Sequence, residues 1–277
     1  MFLYPQWENF CRKLHEINIH STTAKKALHE SRSEKLLILK HDVETDPEKA
    51  LKLAKIEHEY GHTGVYYVQA YLLKNKKNIN ILREIQSLGH EVSYHHDVMD
   101  SNKGDIAKAD AEFQAHIKEF ELYGFNISTV CQHGNPIVER IGYNSNRDFF
   151  RNGDIAEKYK YITEIMVNFK ERLGLSYQYI SDTGYGWKVI FDPETNDIVN
   201  SDDKNIKLDS IDNIILMLQN GESLIVSTHP HRWEAYAFHA KLKNGIYRCV
   251  KRLAKFLLKI KIFRKVMEKN FKLAKKI

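Results

Sequence analysis

The chain has 277 residues, of which 43% are apolar and 28% are charged, as in an ordinary globular protein. Its three cysteines, Cys11, Cys131 and Cys249, are too few and too widely spaced for a disulfide framework, so we expect a reducing compartment such as the cytoplasm. The N-terminus lacks the pattern of a signal peptide, and no apolar run reaches about 18 residues, so we expect no membrane-spanning helix.

Strands and helices are predicted to alternate along most of the chain. Residues 1–35 are expected to form a helical extension. Short apolar runs predict strands at 36–40, 65–69, 91–94, 127–132, 177–181, 187–191 and 223–228. Helices are predicted at 47–61, with Asp46 as N-cap, at 78–89, at 105–123 and from Asp209 or Ser210 to Leu218. This alternation is typical of βαβ units around a parallel sheet.

The net charge of +6 is unevenly distributed. Residues 241–277 contain 14 Lys/Arg and one acid, whereas the other 240 residues carry a net charge of −7. From Tyr236 onward, apolar residues recur at steps of three and four, which predicts a basic amphipathic helix over 235–277. Residues 246–277 favour contact with an anionic membrane surface, while packing on the protein is the alternative. No nucleic-acid motif accompanies them, and we expect no nucleic-acid partner.

Polar residues gather where the predicted strands end. The C-terminal ends of parallel strands meet at one face of a barrel, so these residues are candidates for a common site. Alternation along a strand places Asp42 and Glu44 on one face, and His95 and Asp97 on one face of another strand. Carboxylates together with imidazoles suit zinc or another divalent transition metal. The alternatives are that Asp42 or Glu44 caps a helix, that His96 is packed or exposed, that His133 supports a turn and that His229 is a satisfied strand-end histidine.

Six segments, in this order along the chain, carry a family resemblance. They are HDVE at 41–44, GHEVSYHHD at 89–97, CQHGNP at 131–136, NRDFF at 146–150, SDTGYGW at 181–187 and STHPHRW at 227–233. Together they resemble the polysaccharide deacetylases of carbohydrate esterase family 4, in particular a divergent intracellular branch associated with surface-polysaccharide synthesis. The resemblance covers about 36–233. It implies an irregular (β/α) barrel of about seven strands over 36–234, and a hydrolase that removes an N- or O-linked acetyl group from a sugar.

The resemblance also implies roles for individual residues. Asp42 corresponds to the base that activates water, and Glu44 and His95 correspond to ligands of a divalent metal, for which zinc is the expected ion. His229 corresponds to the acid that protonates the departing group. Asp182 and Trp187 resemble the pair that orients this histidine.

The chain departs from the family pattern at two places. The position of the second metal histidine holds Met99, so Asp97 is expected as the replacement ligand, with His96 as the alternative. The arginine that braces the catalytic acid is missing from CQHGNP, and Arg147 is the candidate substitute. Substrate contacts are expected from His96, His133, Asn135, Arg147, Trp187 and Arg232.

Met99 also favours a second hypothesis about function. In this hypothesis, the barrel has lost its metal and binds a glycan or nucleotide-sugar without hydrolysing it. A narrower alternative is an amidohydrolase that acts on an amide outside sugars.

Overall fold

The computed structural model describes residues 2–29, 35–135, 138–190, 206–243 and 245–246. The described strands are β1 (Leu37–Val43), β2 (Gly64–Val68), β3 (Glu91–His96), β4 (Thr129–Gln132), β5 (Thr163–Glu164), β6 (Gln178–Ser181), β7 (Trp187–Ile190), β8 (Ile206–Leu208) and β9 (Leu224–Thr228). The helices are α1 (Tyr4–Glu16), α2 (Ala24–His29), α3 (Pro47–Glu59), α4 (Lys76–Ser87), α5 (Val98–Ser101), α6 (Ile106–Leu122), α7 (Asp148–Arg151), α8 (Gly153–Lys158), α9 (Phe169–Leu173) and α10 (Asp212–Gln219). Short 3₁₀ turns span Ala70–Lys74 and Pro230–Arg232.

The strands form one mixed sheet with the order β5-β4-β3-β2-β1-β9-β6-β7-β8. Pairing is parallel from β5 to β6, and β7 and β8 continue the sheet antiparallel. The seven predicted strands correspond to β1–β4, β6, β7 and β9. The structure adds β5 and β8, which are too short to leave a periodic pattern in the sequence. Closure of this sheet into a barrel stays a prediction.

The start of α3 lies where it was predicted. Asp46 is at the N-cap position with a φ of 57°, but its side chain caps no helix N–H group. Pro47 begins the helix, as expected, and its fixed φ suits the first helical position. The left-handed backbone at Asp46 lets the chain turn sharply after β1.

The N-terminal segment packs into the core. Trp7, Phe10 and Leu14 of α1 are fully buried, in a cluster that also contains Leu39 of β1 and Val226 of β9. Their spacing of three and four residues places them on one side of the helix. The predicted helical extension is therefore part of the packed core.

The C-terminal prediction can be followed only in part. Residues 237–243 and 245–246 are helical, and residues 247–277 of the predicted basic helix lie outside the described residues. Within the described ranges, none of the helices combines the length and apolarity needed to cross a membrane.

A buried carboxylate ties α1, α3 and the central strands together. Glu57 Oε1 accepts a hydrogen bond from Trp7 Nε1 at 3.0 Å, and Oε2 accepts one from the Tyr66 hydroxyl at 2.8 Å. His41 Nε2 lies 2.8 Å from Glu57 Oε1, and His41 Nδ1 lies 2.8 Å from Thr228 Oγ1. Burial would raise the pKa of Glu57, but His41 and the hydrogen bonds lower it below its usual range. The ionised form of Glu57 is therefore favoured in the core.

We expect Glu57→Ala to destabilise the fold by about 3–5 kcal/mol, because it leaves buried donors without their acceptor. Urea unfolding followed by circular dichroism measures the change. The matched control is Glu59→Ala, an exposed glutamate on the same helix, whose loss should cost less than about 0.5 kcal/mol. Equal stability of the two variants would contradict the structural role of Glu57.

Candidate active site

The candidate site forms where β1 lies between β2 and β9. His41 of β1 is in register with Thr228 of β9, so the residues that follow each strand meet at the same edge. His229 Nε2 lies 3.9 Å from Asp42 Oδ2 and 3.9 Å from Glu44 Oε1. Two carboxylates from the end of β1 therefore surround the histidine that follows β9.

Three side chains at this edge, one of which is Glu44, are placed so that they could hold a metal ion. Glu44, His95 and His133 each offer one ligand atom, and these atoms lie within 4.8 Å of one another. His133 Nε2 is 3.0 Å from Glu44 Oε1. His95 Nδ1 bonds to the backbone carbonyl of Cys131 at 3.0 Å, which leaves Nε2 as the nitrogen available to a metal. Burial lowers the pKa of His95 to about 3, so the imidazole is neutral at physiological pH, as a ligand must be.

A second possible ligand group shares His95. Asp42, His95 and Cys131 are all buried, and their donor atoms also lie within 4.8 Å of one another. Burial raises the pKa of the Cys131 thiol well above its usual range, so the thiolate needed for metal binding is disfavoured. The group with Glu44 and His133 is the better candidate for a hard or borderline divalent ion.

The structure does not bring Asp97 into either group found among the described residues. β3 ends at His96 and the chain then turns into α5, so strand alternation does not extend to Asp97. His133, which was predicted as a substrate contact, is the residue grouped with Glu44 and His95. Met99 lies buried on α5, at 4% exposure.

His96 points away from the candidate site. It is fully buried, and its ring lies 5.7 Å from Phe113 and 6.0 Å from Phe149. Within the described ranges, neither ring nitrogen has a hydrogen-bond partner, and burial lowers its pKa to about 3. The prediction that His96 is a ligand or a substrate contact is therefore not supported, because alternation along β3 directs it into the aromatic core.

Lys40 forms a buried ion pair with Asp42, the predicted general base. Its Nζ donates to Asp42 Oδ1 at 2.5 Å and to Oδ2 at 2.6 Å, and it also contacts Ser227 Oγ at 3.2 Å. Burial would raise the pKa of Asp42, but the charge of Lys40, followed by those of His95 and His229, lowers it to about 2. The same ion pair raises the pKa of Lys40 well above its usual range, although burial alone would lower it.

The residue found in contact with Asp42 is Lys40, whereas the bracing and substrate-binding roles of Arg147 stay predictions. Arg147 is buried at 1% exposure, and its charge acts on Glu164, whose pKa burial raises to about 7. Lys40 was overlooked, although a signal was present: it stands two positions before Asp42 on the same strand, so the two side chains share a face.

His229 is oriented from behind by Asp182. Its Nδ1 lies 2.6 Å from Asp182 Oδ1, and its backbone N–H donates to Oδ2 at 2.9 Å. Arg232, predicted as a substrate contact, donates to Asp182 Oδ1 at 2.7 Å and to its carbonyl oxygen at 2.8 Å. Burial would raise the pKa of Asp182, but Arg232 and His229 lower it. The imidazole is thereby fixed with Nε2 toward Asp42 and Glu44.

Trp187 lies in an aromatic cluster beside these residues. Its ring is 5.4 Å from Phe2, edge to face, and 6.4 Å from Trp233. At 8% exposure it is mostly covered. Its predicted role in orienting His229 or contacting substrate stays a prediction.

The loop that carries His133 is held by polar contacts that the sequence did not reveal. Asn146 Nδ2 donates to the carbonyl oxygen of His133 at 2.8 Å and to Asp100 Oδ2 at 2.9 Å. Arg140 donates to the carbonyl oxygen of Asn135 at 2.9 Å and pairs with Asp100. These bonds fix the backbone that carries His133. A substrate contact from Asn135 stays a prediction.

Solved structures similar to this chain include an esterase and a deacetylase. One is a carbohydrate esterase family 4 esterase from Streptococcus mutans, with 11% identity over 85% of this chain and 88% of that chain and a TM-score of 0.46. The other is a mutant of the peptidoglycan deacetylase PdaC from Bacillus subtilis, with 10% identity over 81% of this chain and 98% of that chain and a TM-score of 0.37. No family model and no curated protein matches the chain.

We expect Lys40→Met to raise the pKa of Asp42 from about 2 to at least its ordinary 3.8, because burial then acts without the compensating charge. Carbon-13 NMR titration of the carboxyl group measures this. Because the folded-state pKa lies below 3.8, the pair stabilises the fold above that pH, and this stability is lost as the pH falls through about 2.

The variant should therefore also unfold at a higher pH during acid titration. The matched control is Lys207→Met, which removes an exposed strand lysine. An Asp42 carboxyl that still titrates near 2 in Lys40→Met would show that Lys40 does not set its charge state.

Proposed function

We propose that this protein is a metal-dependent hydrolase of the polysaccharide-deacetylase type, which removes an acetyl group from a sugar. The observation that carries the proposal is the meeting of an ionised carboxylate, Asp42, and an oriented imidazole, His229, beside a carboxylate–imidazole ligand set. Glu44 and His229 are the more accessible members, with side-chain exposures of 16% and 14%. Substrate would approach from their side of the site.

The ligand set fits a divalent metal, and zinc is the ion that we propose. Glu44, His95 and His133 supply one carboxylate and two imidazoles, which is a common catalytic zinc set that leaves a coordination position open. The hydrogen bond from His95 to the Cys131 carbonyl supports this fit, because metal-binding histidines usually anchor their second nitrogen in this way. When bound, such an ion would polarise the acetyl carbonyl and lower the pKa of water.

Asp42 is the proposed general base. Its low pKa keeps it ionised across the physiological range, and Lys40 fixes the orientation of its carboxylate. It would accept the proton of the water that attacks the acetyl carbon. Lys40 would remain beside it throughout and limit the cost of the buried charge.

His229 is the proposed general acid. Asp182 holds its Nδ1, so Nε2 faces the space beside Asp42 and Glu44 where the scissile bond would lie. From this position Nε2 would donate a proton to the departing nitrogen or oxygen. Arg232 holds Asp182 in place and therefore acts through it.

A non-hydrolytic, glycan-binding barrel is the second candidate function, and Met99 is the feature that favours it. His133 weakens the case for this second candidate, because it would supply the second imidazole of a metal site from a different strand end. The motifs and the sparse cysteines support a cytoplasmic role on a precursor of a surface polysaccharide.

We expect His133→Gln to lower zinc affinity by about 100-fold or more, because it removes one of three protein ligands. Elemental analysis after dialysis against a zinc buffer measures bound metal. Asp97→Asn is the matched control: it removes the ligand predicted from sequence and should leave zinc binding unchanged. Loss of zinc in Asp97→Asn with retention in His133→Gln would contradict the proposed ligand set.

We expect Asp42→Asn to lower acetate release from N-acetylated sugar nucleotides or glycans by about 10²–10⁴-fold, because the general base is lost. Bound zinc should remain, since Asp42 is not in the proposed ligand set. Asp154→Asn, at an exposed site on α8, serves as the control. If Asp42→Asn released acetate at the wild-type rate, Asp42 would not be the general base.

A further inference from the structure

The last described helix presents apolar side chains to solvent. Phe238, Leu242 and Ile246 are 72%, 54% and 48% exposed, and Tyr236 just before the helix is 68% exposed. Residues four apart lie on the same side of a helix, so Phe238 and Leu242 form one line, and Ile246 is exposed farther along the chain. We call these four residues the apolar ridge. Ala240 is 4% exposed, which shows that the other side of this helix packs on the protein.

The apolar ridge is held close to the candidate active site. Lys243 Nζ, on the same helix, donates to the carbonyl oxygen of His231 at 2.7 Å and to Glu234 Oε1 at 3.1 Å. Lys49 of α3 also donates to Glu234 Oε1, at 2.6 Å. His231 is two residues from His229, the proposed general acid. The ridge is therefore tied to the rim of the site.

Charge decides what could cover this ridge. In sequence, its spacing continues through Val250, Leu253 and Leu257, and Arg248, Lys251, Arg252 and Lys255 stand between these apolar residues. Residues 241–277 carry a net charge of +13, so two copies meeting through this region would repel each other. An anionic bilayer complements both features, because it accepts apolar side chains and attracts basic ones.

We propose that the apolar ridge docks on an anionic lipid surface and holds the candidate active site beside the membrane. The inferred substrate is then an acetylated glycan carried on a lipid. This second part rests on the proposed deacetylase function, whereas the docking does not.

Sedimentation of the full-length protein with lipid vesicles tests the docking. Vesicles of phosphatidylcholine with phosphatidylglycerol should bind the protein, and vesicles of phosphatidylcholine alone should bind it at least about tenfold more weakly. The double variant Phe238→Asp/Leu242→Asp should also lower binding to the anionic vesicles at least about tenfold. The matched control Ile141→Asp/Leu216→Asp replaces apolar residues that are 81% and 56% exposed elsewhere, and should bind like wild type.

Equal binding by the ridge variant and wild type would overturn the docking. Equal binding of the wild-type protein to both kinds of vesicle would also overturn it. The same holds if light scattering shows that the wild-type chain is a dimer and that the ridge variant is a monomer.

Acetate release separates this inference from the proposed function. The ridge variant should act like wild type on a dissolved acetylated sugar, and at least about tenfold more slowly on an acetylated lipid-linked glycan in anionic vesicles. Docking without acetate release from either substrate would refute the deacetylase and leave the membrane contact standing. Equal rates of both proteins on the vesicle-bound glycan would refute the membrane-presented substrate.

Discussion

The parallel pairing of β1 with β9 is the constraint on which the candidate site depends. The register that places His41 opposite Thr228 brings Asp42 and Glu44 to the same edge as His229. A slip of one residue along β1 would turn both carboxylates to the other face of the sheet. Side chains from β3 and the loop after β4 reach the same edge because the strands between them are also parallel.

β1 carries a separate charge network on each of its faces. Lys40 and Asp42 form an ion pair on the face of the candidate site, while His41 meets Glu57 on the opposite face. A buried carboxylate without a partner would be protonated or would destabilise the fold, so each network needs its own cation or donors. The first network keeps a base ionised, and the second anchors α1 and α3 to the sheet.

Periodicity in the sequence was sufficient to predict the strands that build the site, because apolar runs of four or more residues mark buried strands. Two-residue β5 and three-residue β8 leave no such pattern. Asp42 and Glu44 do lie together near His229, although Glu44 follows the last residue of β1. Alternation fails at Asp97, where the strand has already ended, and it holds no information on His133, whose position depends on the loop that Asn146 anchors. Lys40 was within reach of the same reasoning, since it shares a face with Asp42.

X-ray diffraction with anomalous scattering, from crystals grown with zinc, would show whether the proposed ligand set binds the metal. We expect one strong zinc peak at about 2.0–2.2 Å from a Glu44 carboxylate oxygen, His95 Nε2 and His133 Nε2. The carboxylate of Asp42 should lie within hydrogen-bond reach of a water beside that ion. A fully occupied zinc held by Asp42 and Cys131 instead, or zinc found at surface residues alone, would contradict this expectation.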